Sequence, residues 1–261
     1  TGAKEFADRN PCREGLPAAY LSYSQVNEGD DLDLMCILRP LFLTSYLLAD
    51  LLLTEEHPAV TAVLVTSASS KTAIGLAHVL QQQRHEVRTG PRVIGVTSVR
   101  NLEFVRQLNG AYDEVVTYDT LTSLDAAPAV ALVDIAGNQQ VRRRLHQHYG
   151  ANMKLSLGVG ATHHSASAIT NPSSGSPLPG ARPQLFFAPA QAQKVIARVG
   201  GPGPFLQLVR SSWDSFVASS PGWLHVRKHR KPREISRALR HAAEGGVPPS
   251  DGVIITIPSR L

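Results

Sequence analysis

The run Val63-Leu64-Val65-Thr66-Ser67-Ala68-Ser69-Ser70-Lys71-Thr72-Ala73-Ile74-Gly75 carries the most concentrated chemistry in the sequence. A short apolar strand leads into a turn of small residues and then into an amphipathic helix. The start of a helix presents free N–H groups and the positive end of its dipole, so a phosphate group is stabilised there. Small residues let the backbone approach a pyrophosphate closely. Of the GxGxxG fingerprint only Gly75 is present, and Ser67, Ser69 and Ser70 stand where glycines are expected. Serine hydroxyls can supply hydrogen bonds of their own, at a cost in backbone freedom. Lys71 adds a cation. A serine-rich helix cap without a ligand is the competing reading. Lys71-Thr72 also matches the end of a P-loop, but both P-loop glycines are absent and Asp134 is a poor magnesium partner, so nucleotide hydrolysis is not expected.

The next strand, Val93 to Val96, bears on which dinucleotide such a turn would hold. An NAD-binding fold places an acid at its end to accept hydrogen bonds from the adenosine ribose. Here the chain reads Val96-Thr97-Ser98-Val99-Arg100-Asn101, with no acid before Glu103. Ser98 and Arg100 leave room for a 2′-phosphate and offer it a cation, which points to NADP(H) rather than NAD(H). Arg100 at a helix start is disfavoured by the dipole, unless an anion accompanies it. Thr162-His163-His164 follows a later strand, and His163 or His164 could exchange protons with a substrate. His146 and His148 lie two apart on a helix, on different faces, and make a poor metal pair. There is no GxSxG elbow, no HExxH helix and no CxxC pair, so neither hydrolase chemistry nor a bound metal is expected.

Strand candidates Ala62 to Val65, Val93 to Val96, Glu114 to Thr117, Val130 to Ile135 and Lys154 to Val159 alternate with helices at Thr72 to Arg84, Leu102 to Leu108 and Gln139 to Tyr149. Such alternation requires crossover helices, hence a doubly wound parallel sheet with helices on both faces, an α/β, Rossmann-like fold. Arg39-Pro40 leads into an apolar stretch, Leu41 to Leu53, read as a buried helix; Thr44, Ser45, Tyr46 and Asp50 interrupt it, and no run reaches the roughly 18 apolar residues of a membrane span. Beyond a Ser-, Pro- and Gly-rich loop come a strand at Leu185 to Ala188, helices near Gln191 to Val199 and Phe205 to Val217, and strands near Trp223 and at Val253 to Ile257. With 261 residues, 43% hydrophobic and 18% charged, the chain can bury a sizeable core. Two cysteines without a framework suit a reducing cytoplasm. The formal charge of +5 is local: His225 to His241 holds seven Lys and Arg against Glu234, leaving the rest at −1. That cluster can attract phosphates, or form a solvated helix face with a charged loop. It lacks the interleaved aromatics of a single-strand binder, and no nucleic-acid partner is expected.

Taken together and in order, Arg39-Pro40-Leu41-Phe42-Leu43-Thr44-Ser45-Tyr46, Ser67 to Gly75, Val133-Asp134-Ile135-Ala136-Gly137-Asn138, Val159-Gly160-Ala161-Thr162-His163 and Phe186-Phe187-Ala188-Pro189-Ala190 resemble a zinc-independent medium-chain dehydrogenase/reductase of the quinone and enoyl reductase branch. They most resemble an offshoot of that branch catalogued as a domain of unknown function. The resemblance implies that Thr44 and Tyr46 pack beside the nicotinamide, with Tyr46 and His163 as catalytic candidates. It puts Ser67, Ser69, Ser70, Lys71, Thr72 and Gly75 in the pyrophosphate turn, Ser98 and Arg100 at the 2′-phosphate, and Gly160 and Thr162 near the nicotinamide. It also implies a division of the chain: 1–38 as a connecting segment from an N-terminal barrel-like substrate domain that is absent here, 39–165 as the cofactor-binding core, 166–182 as a flexible loop, and 183–261 as the part completing the sheet. The function implied is NADP(H)-dependent reduction of an activated C=C or quinone-type small molecule, with no membrane partner and with a homo-oligomer allowed. The alternative is a degenerate or non-redox cofactor-binding module, isomerase- or cyclase-like or a partner subunit, on the same fold.

Overall fold

The computed structural model describes residues 5–16, 21–26, 28–54, 60–159 and 177–257. Strands β1 (Glu5–Ala7) and β2 (Ser22–Ser24) pair antiparallel ahead of helix α1 (Leu32–Leu53). There follow β3 (Ala62–Thr66), α2 (Lys71–Val87), β4 (Arg92–Thr97), α3 (Leu102–Arg106), β5 (Glu114–Thr117), β6 (Val130–Asp134), α4 (Gln139–Tyr149) and β7 (Met153–Gly158). The chain continues through β8 (Gln184–Leu185), α5 (Ala188–Arg198), α6 (Pro202–Ser219), β9 (His225–His229), α7 (Pro232–Ala243) and β10 (Asp251–Ile255).

Six strands form one sheet in the order β5-β4-β3-β6-β7-β8, every pair parallel. This is the doubly wound arrangement expected from the sequence. Every residue of β3 and of β6 is buried, because helices cover both faces and leave no polar side to alternate with. The strand order reverses between β3 and β6, and ligands of such sheets sit in the crevice at that reversal, beyond the carboxyl ends of the strands.

Two elements differ from the sequence expectation. Helix α1 does not begin after Pro40 but at Leu32, and runs through the proline. Proline lacks the N–H that would bond Cys36 one turn back, which normally ends a helix. Here Leu38, Phe42, Ser45, Ala49 and Leu52, spaced 4, 3, 4 and 3 apart, keep one buried stripe across the break. The Asp31 carboxylate caps the earlier start by accepting from the Leu34 amide at 3.0 Å. By length and hydropathy alone α1 could cross a membrane. In the fold it is a core helix, packed on α2, α5 and α6, with Phe42 stacked on Phe216 at 5.0 Å. The other difference is C-terminal. Only β8 completes the main sheet, whereas β9 and β10 pair with each other apart from it. The basic segment 225–241, for which a helix face with a charged loop was one expectation, is shared by strand β9 and helix α7.

Candidate functional site

The turn after β3 is held from several sides. Ser67 adopts a left-handed conformation (φ 52°), its amide donating to the Tyr118 hydroxyl at 3.0 Å. The Ala68 amide reaches across to the Val96 carbonyl at 3.1 Å, and its carbonyl accepts from the Tyr112 hydroxyl at 2.8 Å. Tyr112 can come that near because Gly95 lies beneath it: a Cβ there would stand 3.0 Å from the ring and 3.1 Å from Ala68. Burial pushes the Tyr112 phenol well above its ordinary range, so it stays a neutral donor. Asn101, from the turn after β4, donates to the Ser69 hydroxyl at 3.0 Å. Ser70 caps α2, its hydroxyl accepting from the Ala73 amide at 3.3 Å.

These bonds, with the Ser70 amide donating to the Ser67 carbonyl at 2.7 Å, account for the amides of Ser67, Ala68, Ser70 and Ala73. Among the described residues the amides of Ser69, Lys71 and Thr72 have no partner. Three N–H groups at the start of a 17-residue helix, beside a strand-order reversal, are donors that an anion can bond to. Gly75 serves a different purpose. A Cβ there would lie 2.8 Å from the Ser45 hydroxyl, so the glycine permits close contact between α1 and α2. The Ser45 hydroxyl lies within reach of two carbonyls, Thr72 at 2.7 Å and Leu41 at 3.0 Å.

The second wall of the crevice is the end of β6. The Thr66 hydroxyl donates to Asp134 Oδ1 at 2.9 Å and accepts from the amides of Ile135 and Ala136 at 2.9 and 3.0 Å. Asp134 Oδ1 also accepts from the Gly137 amide at 3.0 Å, while Oδ2 faces the Arg142 guanidinium at 3.4 Å. Both members of this ion pair are buried. The carboxylate thereby stitches β3, β6 and the start of α4 into one rigid rim.

The expected site residues fall into groups. Ser67, Ser69, Ser70, Lys71, Thr72 and Gly75 share the turn and the first helical turns. Ser98 opens the short helical turn Val99–Asn101, and its hydroxyl makes no capping bond. No carboxylate ends β4, and the Thr97 hydroxyl is buried without a partner among the described residues. Lys71 and Arg100 are both engaged by one remote segment. Lys71 Nζ donates to the carbonyls of Pro249 and Asp251 at 3.2 and 2.9 Å; Arg100 reaches the carbonyls of Gly245 and Gly246 at 3.4 Å each. Burial lowers the Lys71 ammonium from its ordinary value, partly offset by Asp251. Thr44 bonds back to the Pro40 carbonyl at 3.3 Å within α1. Tyr46 lies half-buried one turn before Asp50, which accepts from Gln191 at 2.9 Å and pairs with Arg198. Burial raises the Tyr46 phenol, with Asp50 adding to the effect and Arg198 opposing it. Between these two residues it is Ser45 that touches α2. Gly160, Thr162 and His163 lie outside the described residues, as does most of the 166–182 loop.

Sequence reasoning missed Ser45, Thr66, Tyr112, Tyr118 and the Asp134–Arg142 pair. Gly95, an isolated glycine inside a strand, was the one signal of a close approach above it. His146 and His148 are structural: His146 bridges the Pro179 carbonyl and the Ser156 hydroxyl, both at 2.9 Å, and His148 meets the Leu124 carbonyl at 2.8 Å.

Residues 1–248 match the family described as "Protein of unknown function (DUF2855)". The chain belongs to that family. Three solved structures share the fold of this DUF2855 chain. A putative NADPH:quinone reductase from Mesorhizobium loti is 13% identical with a TM-score of 0.58, the match covering 91% of this chain and 64% of that one. CurA in complex with NADPH from Vibrio vulnificus is 10% identical (TM-score 0.56; 92% and 69%). The CurK enoyl reductase is 14% identical (TM-score 0.55; 92% and 67%). The DUF2855 chain spans about two thirds of the length of these structures. No curated protein shows significant similarity to it.

Proposed function

We propose that the chain is the nucleotide-binding portion of an NADP(H)-dependent reductase acting on an activated C=C or quinone-type substrate. The observation that carries this reading is the joint arrangement at the strand-order reversal: three open amides at the start of α2, and no carboxylate at the end of β4. The residues present fit such a cofactor. The amides of Ser69, Lys71 and Thr72 would hold the pyrophosphate, and Ser98 and Arg100 the 2′-phosphate. When bound, a nicotinamide supplies hydride chemistry; the protein supplies position and electrostatics. The rim built by Thr66, Asp134 and Arg142 would fix the crevice wall and keep that wall's polar groups satisfied. Support for the substrate class comes from structures of the same fold, described as an enoyl reductase and a putative NADPH:quinone reductase. The division at residues 38, 165 and 182 belongs to the same proposal, although α1 crosses the first boundary.

A second reading keeps the fold without the reaction, as a degenerate module or partner subunit. One observation favours it: both cations meant for phosphate already bond to carbonyls of 245–251. Titration with NADPH and with NADH, followed by nicotinamide fluorescence, separates the two. The expected result is NADPH binding at least about tenfold tighter, with Arg100→Ala removing most of that preference, since a charge-assisted phosphate bond contributes about 1.5–3 kcal/mol. Equal affinities for the two cofactors would remove the 2′-phosphate assignment, and no binding of either would favour the second reading.

A further inference from the structure

Most arginines whose contacts can be traced in this chain meet a carboxylate: Arg13 with Asp8, Arg84 with Asp113, Arg92 with Glu114, Arg142 with Asp134, Arg198 with Asp50 and Arg227 with Asp251. Helix α7 departs from this habit. Arg233, Arg237 and Arg240, spaced 4 and 3 apart, share one face of it, and none of the three guanidiniums has an ion pair or hydrogen bond among the described residues. Together with Ser236 they line a surface hollow of about 270 Å³, with no acid in its lining. A second hollow of about 510 Å³ shares Arg237 and Arg240; two of its carboxylates, Asp251 and Glu234, are already paired with Arg227 and Lys231.

Helix physics explains only part of the cluster. Arg240, in the last turn, is favoured by the dipole, but Arg233 stands in the first turn, where a cation is disfavoured. Three like charges at helical spacing also repel one another, and the cost is removed by an anion laid across them. All three positions of the face hold arginine, whose planar fork matches phosphate oxygens two at a time.

We propose that the Arg233–Arg237–Arg240 face of α7 binds the phosphate groups of a small organic phosphate, at a site distinct from the β3–α2 turn. The face spans about 10 Å along the helix, at 1.5 Å per residue, enough for a diphosphate or one phosphomonoester with its neighbour. Glu244 in the adjoining hollow would repel a longer polyanion, which favours a small ligand over a nucleic acid. The inference goes beyond the cofactor reading and does not depend on it.

Inorganic pyrophosphate is the probe, titrated calorimetrically into the purified chain at low and at moderate salt. The expected result is saturable binding that weakens with salt and falls at least about tenfold in Arg237→Glu and in Arg233→Glu. Arg237→Lys should fall between. Arg210→Ala, which removes an exposed arginine of α6, should bind as the unaltered chain does; circular dichroism checks that α7 stays helical in each variant. Three results would overturn the proposal: no saturable binding, equal weakening by Arg210→Ala, or loss of binding in Lys71→Ala but not in Arg237→Glu. A short oligonucleotide binding more tightly than pyrophosphate would also overturn it, in favour of nucleic acid. Because the readout involves no nicotinamide, a failure here is distinct from a failure of the cofactor assignment.

Discussion

The rim at Asp134 and the face of α7 use the same residue types to opposite ends. At the rim, one carboxylate takes Thr66, Gly137 and Arg142 as direct partners, with Thr66 relaying to Ile135 and Ala136. Every polar group there is turned inward to hold backbone. On α7 three guanidiniums face outward and hold nothing of the chain among the described residues. A buried charge must be paired to be tolerated, whereas an exposed one can stay open. The contrast therefore separates charges that build the fold from charges available to a ligand.

The largest effect is expected where the pairing is deepest. Arg142→Ala leaves the Asp134 carboxylate buried without its cation and should cost about 3–5 kcal/mol, measured by urea unfolding. A loss below about 1 kcal/mol would mean that the rim is held by its hydrogen bonds alone. The same buried region contains His146, whose pKa burial pushes below its ordinary value; nearby Arg142 lowers it further, while the Pro179 carbonyl and Asp134 act the other way. The unfolded chain binds the proton more readily than the folded one. Stability from keeping His146 neutral is thus present above about pH 6.5 and falls as the pH drops below it. The melting temperature should decline from about pH 7.5 to about pH 5.5, and His146→Gln should flatten that decline. His78, also lowered by burial, contributes in the same direction, so some slope should remain.

A smaller effect is expected at Ser67. A non-glycine residue in the left-handed region carries about 1 kcal/mol of strain, so Ser67→Gly should stabilise the chain by less than that, given glycine's greater freedom when unfolded. Thermal melting would show it, and a marked loss would mean that the serine side chain, rather than its amide, secures the turn. The smallest effect belongs to α7. Arg237→Ala should change stability by no more than about 0.5 kcal/mol, against several for Arg142→Ala. Comparable losses at the two sites would erase the distinction.

How much of this could be read beforehand follows from the range of each interaction. Strands β3 to β7 were legible to within a residue or so, because burial on both faces leaves unbroken runs such as Ala62–Thr66 and Val130–Asp134, whereas the exposed edge strand β8 ends three residues before the expected Ala188. The end of α4 was legible too, since Gly150 takes the positive φ that stops the helix there. Pairings across the chain were not. Nothing near Lys71 in sequence foretells carbonyls 178 and 180 residues away. The continuation of α1 through Pro40 depends on a stripe of contacts with α2, α5 and α6, which outweighs a strong local signal. Tyr112 and Tyr118 could be seen as residues but not as clamps, because their role depends on the room that Gly95 leaves and on where Ser67 turns.

The segment Gly245–Asp251 gives the nucleotide turn an unusual resting condition. Its carbonyls already solvate Lys71 and Arg100, so neither cation waits bare for a guest. Under the proposed cofactor reading, arrival of a dinucleotide becomes an exchange of neutral oxygens for charged ones. The incoming phosphates must first be admitted by withdrawal of the chain's own backbone. Association would then level off at high cofactor concentration, at a rate set by how often the segment lets go, and release would end with the segment closing behind the departing molecule.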